Sequence, residues 1–130
     1  MNKVEVIQQK IIDGNIDDIS QLQIVEAVEE FLLKQNRASL YQNKCAYRGD
    51  NELKCAVGCL IPDPYYQQDM EDKGVEHLAT AEINPKLRSF INRFIYVLGQ
   101  LQSIHDSINI SYWKESINNL KKSLDNRLYM

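Results

Sequence analysis

Apolar positions at helical spacing open the chain. Val4, Ile7 and Ile11 recur at intervals of three and four, which places them on one stripe of a helix. Asn2 and Glu5 ahead of them have capping-box spacing, and Asp13-Gly14 supplies a stop. Ser20 and Gln23 repeat the capping pattern. Leu22, Val25, Val28 and Leu32 follow, with Ile24 and Phe31 widening the face, so the spacing predicts a second helix over 20–35. Periodicity then disappears. Residues 36–54 are dominated by Asn, Gln, Ser, Lys, Arg, Gly and Asp, a long irregular stretch for a small chain. The run from Lys54 to Ile61 turns apolar and ends at Pro62 and Pro64. It fits a buried helix or a buried strand, and Ala with two cysteines at i, i+4 tilts it towards helix. Gly58 weakens either state, so its presence calls for a close approach of another backbone.

Residues 65–83 are acidic, with a short helix expected from Val75 to Ala81. Asn84-Pro85 is a strong helix start. Leu87, Ile91, Phe94, Leu98, Leu101, His105 and Ile108 then continue at helical spacing, so one long amphipathic helix is predicted. Asn109 to Ser111 breaks it. Ser111 is placed to cap a last helix that buries Trp113, Ile117, Leu120 and Leu124, with Lys114, Lys121 and Lys122 on its wet face. The expected fold is mainly α. It is a single compact helical domain over 1–130, with a long irregular loop and a minor strand element near 45–61. A length of 130 residues allows one domain, and 44% apolar residues allow a core without metal or disulfide.

Charge narrows the choice of partner. The net charge is −3, but it is segregated: residues 50–82 carry eight acids and two bases, residues 85–130 seven bases and three acids. A nucleic-acid binder carries a basic face to neutralise phosphates, and the chain as a whole lacks that balance, so no nucleic acid is expected. Segregated charge on helices is ordinarily a set of solvated faces, and an acidic face also suits a basic partner protein. The three cysteines, Cys45, Cys55 and Cys59, are an odd number, and no apolar leader follows Met1. No apolar run is long enough to span a bilayer. The expectation is free thiols in a cytoplasm and no membrane.

Candidate chemistry concentrates in Cys45-Ala46-Tyr47-Arg48-Gly49, a five-residue turn (Asp50 to Lys54), and Cys55-Ala56-Val57-Gly58-Cys59-Leu60-Ile61, followed later by Leu101-Gln102-Ser103-Ile104-His105-Asp106. This combination resembles a family of small proteins of bacteriophages and prophages. That family carries a C-x-Y-R-G core, then K-C-A-x-G-x-L-I, and a later L-Q-x-x-H-D. The resemblance spans residues 25–125, leaving residues 1–20 as an N-terminal helical extension to a family core of 21–130. Members commonly lack a cysteine at the position of Cys59. The resemblance implies a phage context, with a host cytoplasm as the place of action, and no particular reaction.

Three readings of the block compete. A Cys₃His metal set from Cys45, Cys55, Cys59 and His105 or His77 lacks C-x₂-C spacing and has core-like residues between its cysteines, so no metal and no cofactor is expected. A thiol enzyme would use Cys55 as nucleophile, His105 as base and Asp106 as orienter. The Tyr-x-Gly turn followed by Cys resembles the start of the papain-like cell-wall peptidase fold. That fold, however, carries its His on a strand, whereas His105 lies on a helical stripe. Adjacent helical residues also diverge by about 100°, which sets Asp106 away from the His105 ring. The third reading is a buried polar network. In it, His105 faces the core and meets carbonyls of the 45–54 loop, Tyr47 packs beneath, and Arg48 clamps the loop through Glu71 or Asp106.

Tyr65 and Tyr66, after two prolines, are expected as exposed aromatic anchors, and Arg48 with Lys54 suits a carboxylate or phosphate. The leading expectation is a phage-type, non-enzymatic binding module that modulates a host or defence protein, with Tyr47, Arg48, Lys54, Tyr65 and Tyr66 as binding residues. The alternatives are the Cys55–His105 enzyme and a protein that sequesters a small nucleotide-like anion.

Overall fold

Both capping boxes close as the sequence requires. Asn2 caps helix α1 (Lys3–Asp13) and Ser20 caps α2 (Gln21–Gln35), each with its N3 side chain returning to the cap N–H. Such caps contribute about 1 kcal/mol each by satisfying donors that a helix end leaves free. The computed structural model describes residues 1–42 and 44–128. After α2, two-residue strands β1 (Leu40–Tyr41) and β2 (Lys44–Cys45) pair antiparallel, and a single bridge joins Arg48 to Lys54. Four short 3-10 turns carry the chain to α3 (Val75–Leu78). Helices α4 (Pro85–Arg93), α5 (Ile95–Ser107) and α6 (Trp113–Leu128) complete it. The architecture is mainly α, and the strand element lies at 40–45, just ahead of where it was expected.

The core is one cluster. Val4, Ile7 and Ile11 of α1 share it with Ile24, Val28 and Leu32 of α2, Phe90 and Ile91 of α4, Leu98 of α5 and Trp113 and Ile117 of α6. α2 packs against both α1 and α6, and α1 also meets α4 and the 3-10 turn Gly58–Leu60. The first helix is therefore part of the same core, not a separate appendage. Among the described residues no helix is long and apolar enough to cross a membrane.

Three sequence expectations need correction. The long helix predicted from Pro85 is two helices, because Phe94 leaves helical geometry at φ −113° and ψ 26°. The local sequence Phe94-Ile95-Tyr96-Val97 consists of aromatic and β-branched residues, which lose side-chain freedom in a helix. Phe94 at the break and Leu98 beyond it are both buried. The apolar run at 55–61 is neither α-helix nor strand but a buried 3-10 turn at Gly58–Leu60. Finally, Asn109 rather than Ser111 holds the last start. Its side chain accepts from the Ser111 N–H, and a 3-10 turn (Ile110–Tyr112) leads into α6.

Candidate functional site

One face of α5 carries the centre of the site. Gln102, His105 and Asp106 stand at i, i+3 and i+4, the spacing that aligns helical side chains. Gln102 Oε1 accepts the backbone N–H of Val57 at 3.0 Å, and its Nε2 donates to Asp106 Oδ1 at 2.9 Å. His105 is fully buried at its side chain. Its Nε2 accepts the backbone N–H of Ser39 at 2.9 Å, and its Nδ1 lies 2.8 Å from Asp106 Oδ1. A backbone N–H only donates, so Nε2 bears the lone pair and Nδ1 bears the proton, which it donates to Asp106. The Trp113 ring stacks on the imidazole at 5.7 Å between centroids.

Two expectations change here. The loop offers the ring an N–H at Ser39 rather than a carbonyl from 45–54. Asp106 does reach its neighbour's ring despite the divergence of adjacent helical positions. Gln102 one turn earlier and the Cys45 thiol on β2 also donate to its carboxylate, drawing it to the ring's side of the helix. Burial would raise the Asp106 pKa, but these hydrogen bonds, His105's foremost, hold it below the usual carboxylate value.

The opposite side of the site is the loop itself. Ser39 Oγ donates to Leu53 O at 3.1 Å, and Gly49 N–H to the same carbonyl at 2.8 Å. Gln35 bonds both the N–H and the C=O of Lys54. The glycines of the block are where backbones touch. A Cβ on Gly49 would fall 2.5 Å from Leu40 O, and one on Gly58 would overlap the Tyr47 carbonyl. The close approach inferred for Gly58 is thus the Tyr47 backbone. Glu71 closes the loop from outside, accepting the consecutive N–H groups of Tyr47 and Arg48 at 3.0 and 3.1 Å and the Tyr66 hydroxyl at 2.6 Å.

Arg48 clamps, but through a different partner from those expected. Its guanidinium binds Asp63 at 2.7 Å and lies 4.4 Å over the Tyr66 ring, while only its backbone N–H meets Glu71. Lys54 shares Asp63 at 3.9 Å. Tyr47 is buried and its hydroxyl donates to Lys73 O at 2.6 Å. Tyr65 and Tyr66 are half-buried against the core rather than exposed. Ser39, Gln35 and Asp63 escaped the sequence reading because their partners are remote in the chain, and Glu71, expected at the Arg48 side chain, takes the backbone N–H groups of Tyr47 and Arg48 instead. Gln102 was legible, since it shares the helical face of His105.

The thiols divide by environment. Cys55 is fully buried, its sulfur accepts the Gly58 N–H at 3.2 Å, and burial pushes its pKa up to about 12. Cys59 is buried too, its thiol donating to Ala56 O. No hydrogen bond joins Cys55 to His105 among the described residues. Cys45 is the exposed one, and burial followed by the Asp106 charge raises its pKa. Cys45, His105 and Asp106 bring their ligand atoms within 4.8 Å of one another. The tautomer argues against a cation there. A metal on Nδ1 requires a proton on Nε2, and that position faces the Ser39 N–H.

On the outer side of Arg48 lies a cleft of about 370 Å³. Tyr41, Gln42, Asp50, Tyr66, Gln68 and Asp72 contribute to its walls. The side chains of Asp50 and Asp72 are exposed and make no hydrogen bond or ion pair among the described residues. Gln42 and Asp72 sit in left-handed backbone, at φ 51° and 64°, a conformation that costs a side-chain-bearing residue about 1 kcal/mol or more. No protein-family model, no curated protein and no solved structure matches the chain.

Proposed function

We propose that this protein is a non-enzymatic binding module of the phage or prophage type, acting on a host or defence protein, and that its cleft receives a basic side chain of that partner. The observation that carries the reading is the tie between His105 and Ser39. With both ring nitrogens bonded and Cys55 sealed in the core, the motif residues act as a staple, which leaves the outer surface of the stapled loop as the working face. That face carries free carboxylates at Asp50 and Asp72 beside the exposed Tyr41 ring. Carboxylates next to an aromatic face suit an ammonium or guanidinium group. The surrounding segment, 50–82, adds a net −6 that attracts a basic partner from a distance. An anion would have to compete with Asp63, which already pairs with Arg48 at 2.7 Å and lies 3.9 Å from Lys54.

The test is an NMR titration of the ¹⁵N-labelled chain with an acetylated, amidated Arg-Lys-Arg peptide at physiological salt. Shifts confined to Tyr41, Gln42, Gly49, Asp50 and Asp72, and lost in Asp50→Asn/Asp72→Asn, are expected. Shifts spread evenly to Glu76 and Glu82, or retained in the double variant, would contradict the cleft as the recognition site.

A further inference from the structure

We infer that His105 is an acid-operated latch: uptake of a proton by its ring releases the hairpin base at Ser39 while the ring itself stays in place. The imidazole is neutral as the structure holds it, accepting at Nε2 and donating at Nδ1. Protonation adds a hydrogen at Nε2, and the Ser39 N–H is then opposed by a second donor. One of the two must withdraw. The ring is anchored on three sides: its own backbone in α5, the stacked Trp113 and the Asp106 carboxylate. Charging strengthens the last contact, because a neutral hydrogen bond becomes an ion pair. Ser39 has no such compensation, so the hairpin moves and the histidine does not.

Among the described residues, nothing around the ring reverses this. Asp106 on α5 is the charged group bonded to the ring, and it remains ionised because its own pKa is held low. β2 contributes the Cys45 thiol, which stays protonated because its pKa is raised. α6 contributes the uncharged indole of Trp113, and the segment before β1 contributes only the Ser39 amide. The other ties of Ser39 also run to the loop and not to α5: its Oγ to Leu53 O and its C=O to Ala46 N–H. Ser39 can therefore leave the ring with the loop it is bonded to, the Cys45 thiol on Asp106 being the hairpin's remaining tie to α5 among the described residues. Tyr41 and Cys45 belong to both the hairpin and the cleft wall, so release reshapes that wall, but the latch stands whether or not the cleft binds a basic partner.

The test is NMR on the full chain between pH 8 and pH 5, following the His105 ring carbon and the Ser39 amide together. Ser39 protection, corrected for intrinsic exchange, is expected to fall at least tenfold with the midpoint of the ring titration, while the Val57 amide held by Gln102 keeps its protection. His105→Gln places an amide oxygen where it accepts from Ser39 without titrating, so the loss of protection disappears in that variant. Asp106→Asn removes the charge that stabilises the protonated ring and moves the midpoint to lower pH. A ring that stays neutral to pH 5, Ser39 protection unchanged across the midpoint, the same loss in His105→Gln, or an unmoved midpoint in Asp106→Asn would each overturn the latch.

Discussion

At the residue scale, the glycines separate those that the fold requires from those that it tolerates. Gly58 lies against the Tyr47 carbonyl, and backbone cannot yield as a flexible side chain can. Gly99 lies inside α5 with open space where a Cβ would go. Gly58→Ala is expected to destabilise the protein by about 2 kcal/mol or more, and Gly99→Ala to stabilise it by about 0.5–1 kcal/mol. Urea unfolding of the two variants checks this. Equal effects would mean that the 58–60 turn can move away from Tyr47. The same contrast shows what the sequence could disclose. It said that Gly58 needed an unusual reason, because a glycine interrupts an apolar run there. It could not say which backbone supplied the reason, since Tyr47 is a neighbour only in the fold.

At the element scale, stripes and caps were legible and partners were not. The apolar spacing of α1, α2 and α6 names their buried faces except at Leu22, which is exposed, as is Ile108 at the end of the His105 stripe; the position of His105 on that stripe puts it inside, where it is found 2% exposed. The break at Phe94 was masked because the apolar spacing runs on unchanged through it. The choice of Asp63 over Glu71 for Arg48 depends on how the 62–71 turns fold back, which no periodicity encodes. The α2–α6 contact illustrates the point again. Lys114 and Lys121 read as a wet face, yet both reach Glu29 of α2, at 3.2 and 2.8 Å. Burial would raise the Glu29 pKa, but the two lysines bring it below its ordinary 4.5.

A carboxylate with a lowered folded pKa contributes stability above its unfolded value, and that contribution is lost as pH falls through the folded one. Glu29→Gln is therefore expected to lower the urea midpoint at pH 7 and to lower it much less at pH 3.5. A difference of equal size at both pH values would mean that the α2–α6 ion pairs contribute through packing alone.

At the scale of the whole molecule, the helices form a frame and the 36–73 excursion is held to it by polar ties at defined points. Gln35 holds Lys54, His105 holds Ser39 and Gln102 holds Val57, while Glu71, within the excursion, closes it on itself at Tyr47 and Arg48. Fold class and the inward histidine follow from the sequence because they rest on local periodicity. The network was anticipated only in outline, because each tie joins a side chain to a backbone group of a segment without periodicity. Such ties matter for stability since an unpaired buried N–H costs about 1–3 kcal/mol.

The claim that the motif staples the loop is tested most directly by amide hydrogen exchange on His105→Ala. Exchange at Ser39, Ala46 and Gly49 is expected to accelerate at least tenfold while the cores of α1 and α2 keep their protection. Unchanged exchange across 39–49 in a folded variant would contradict the account.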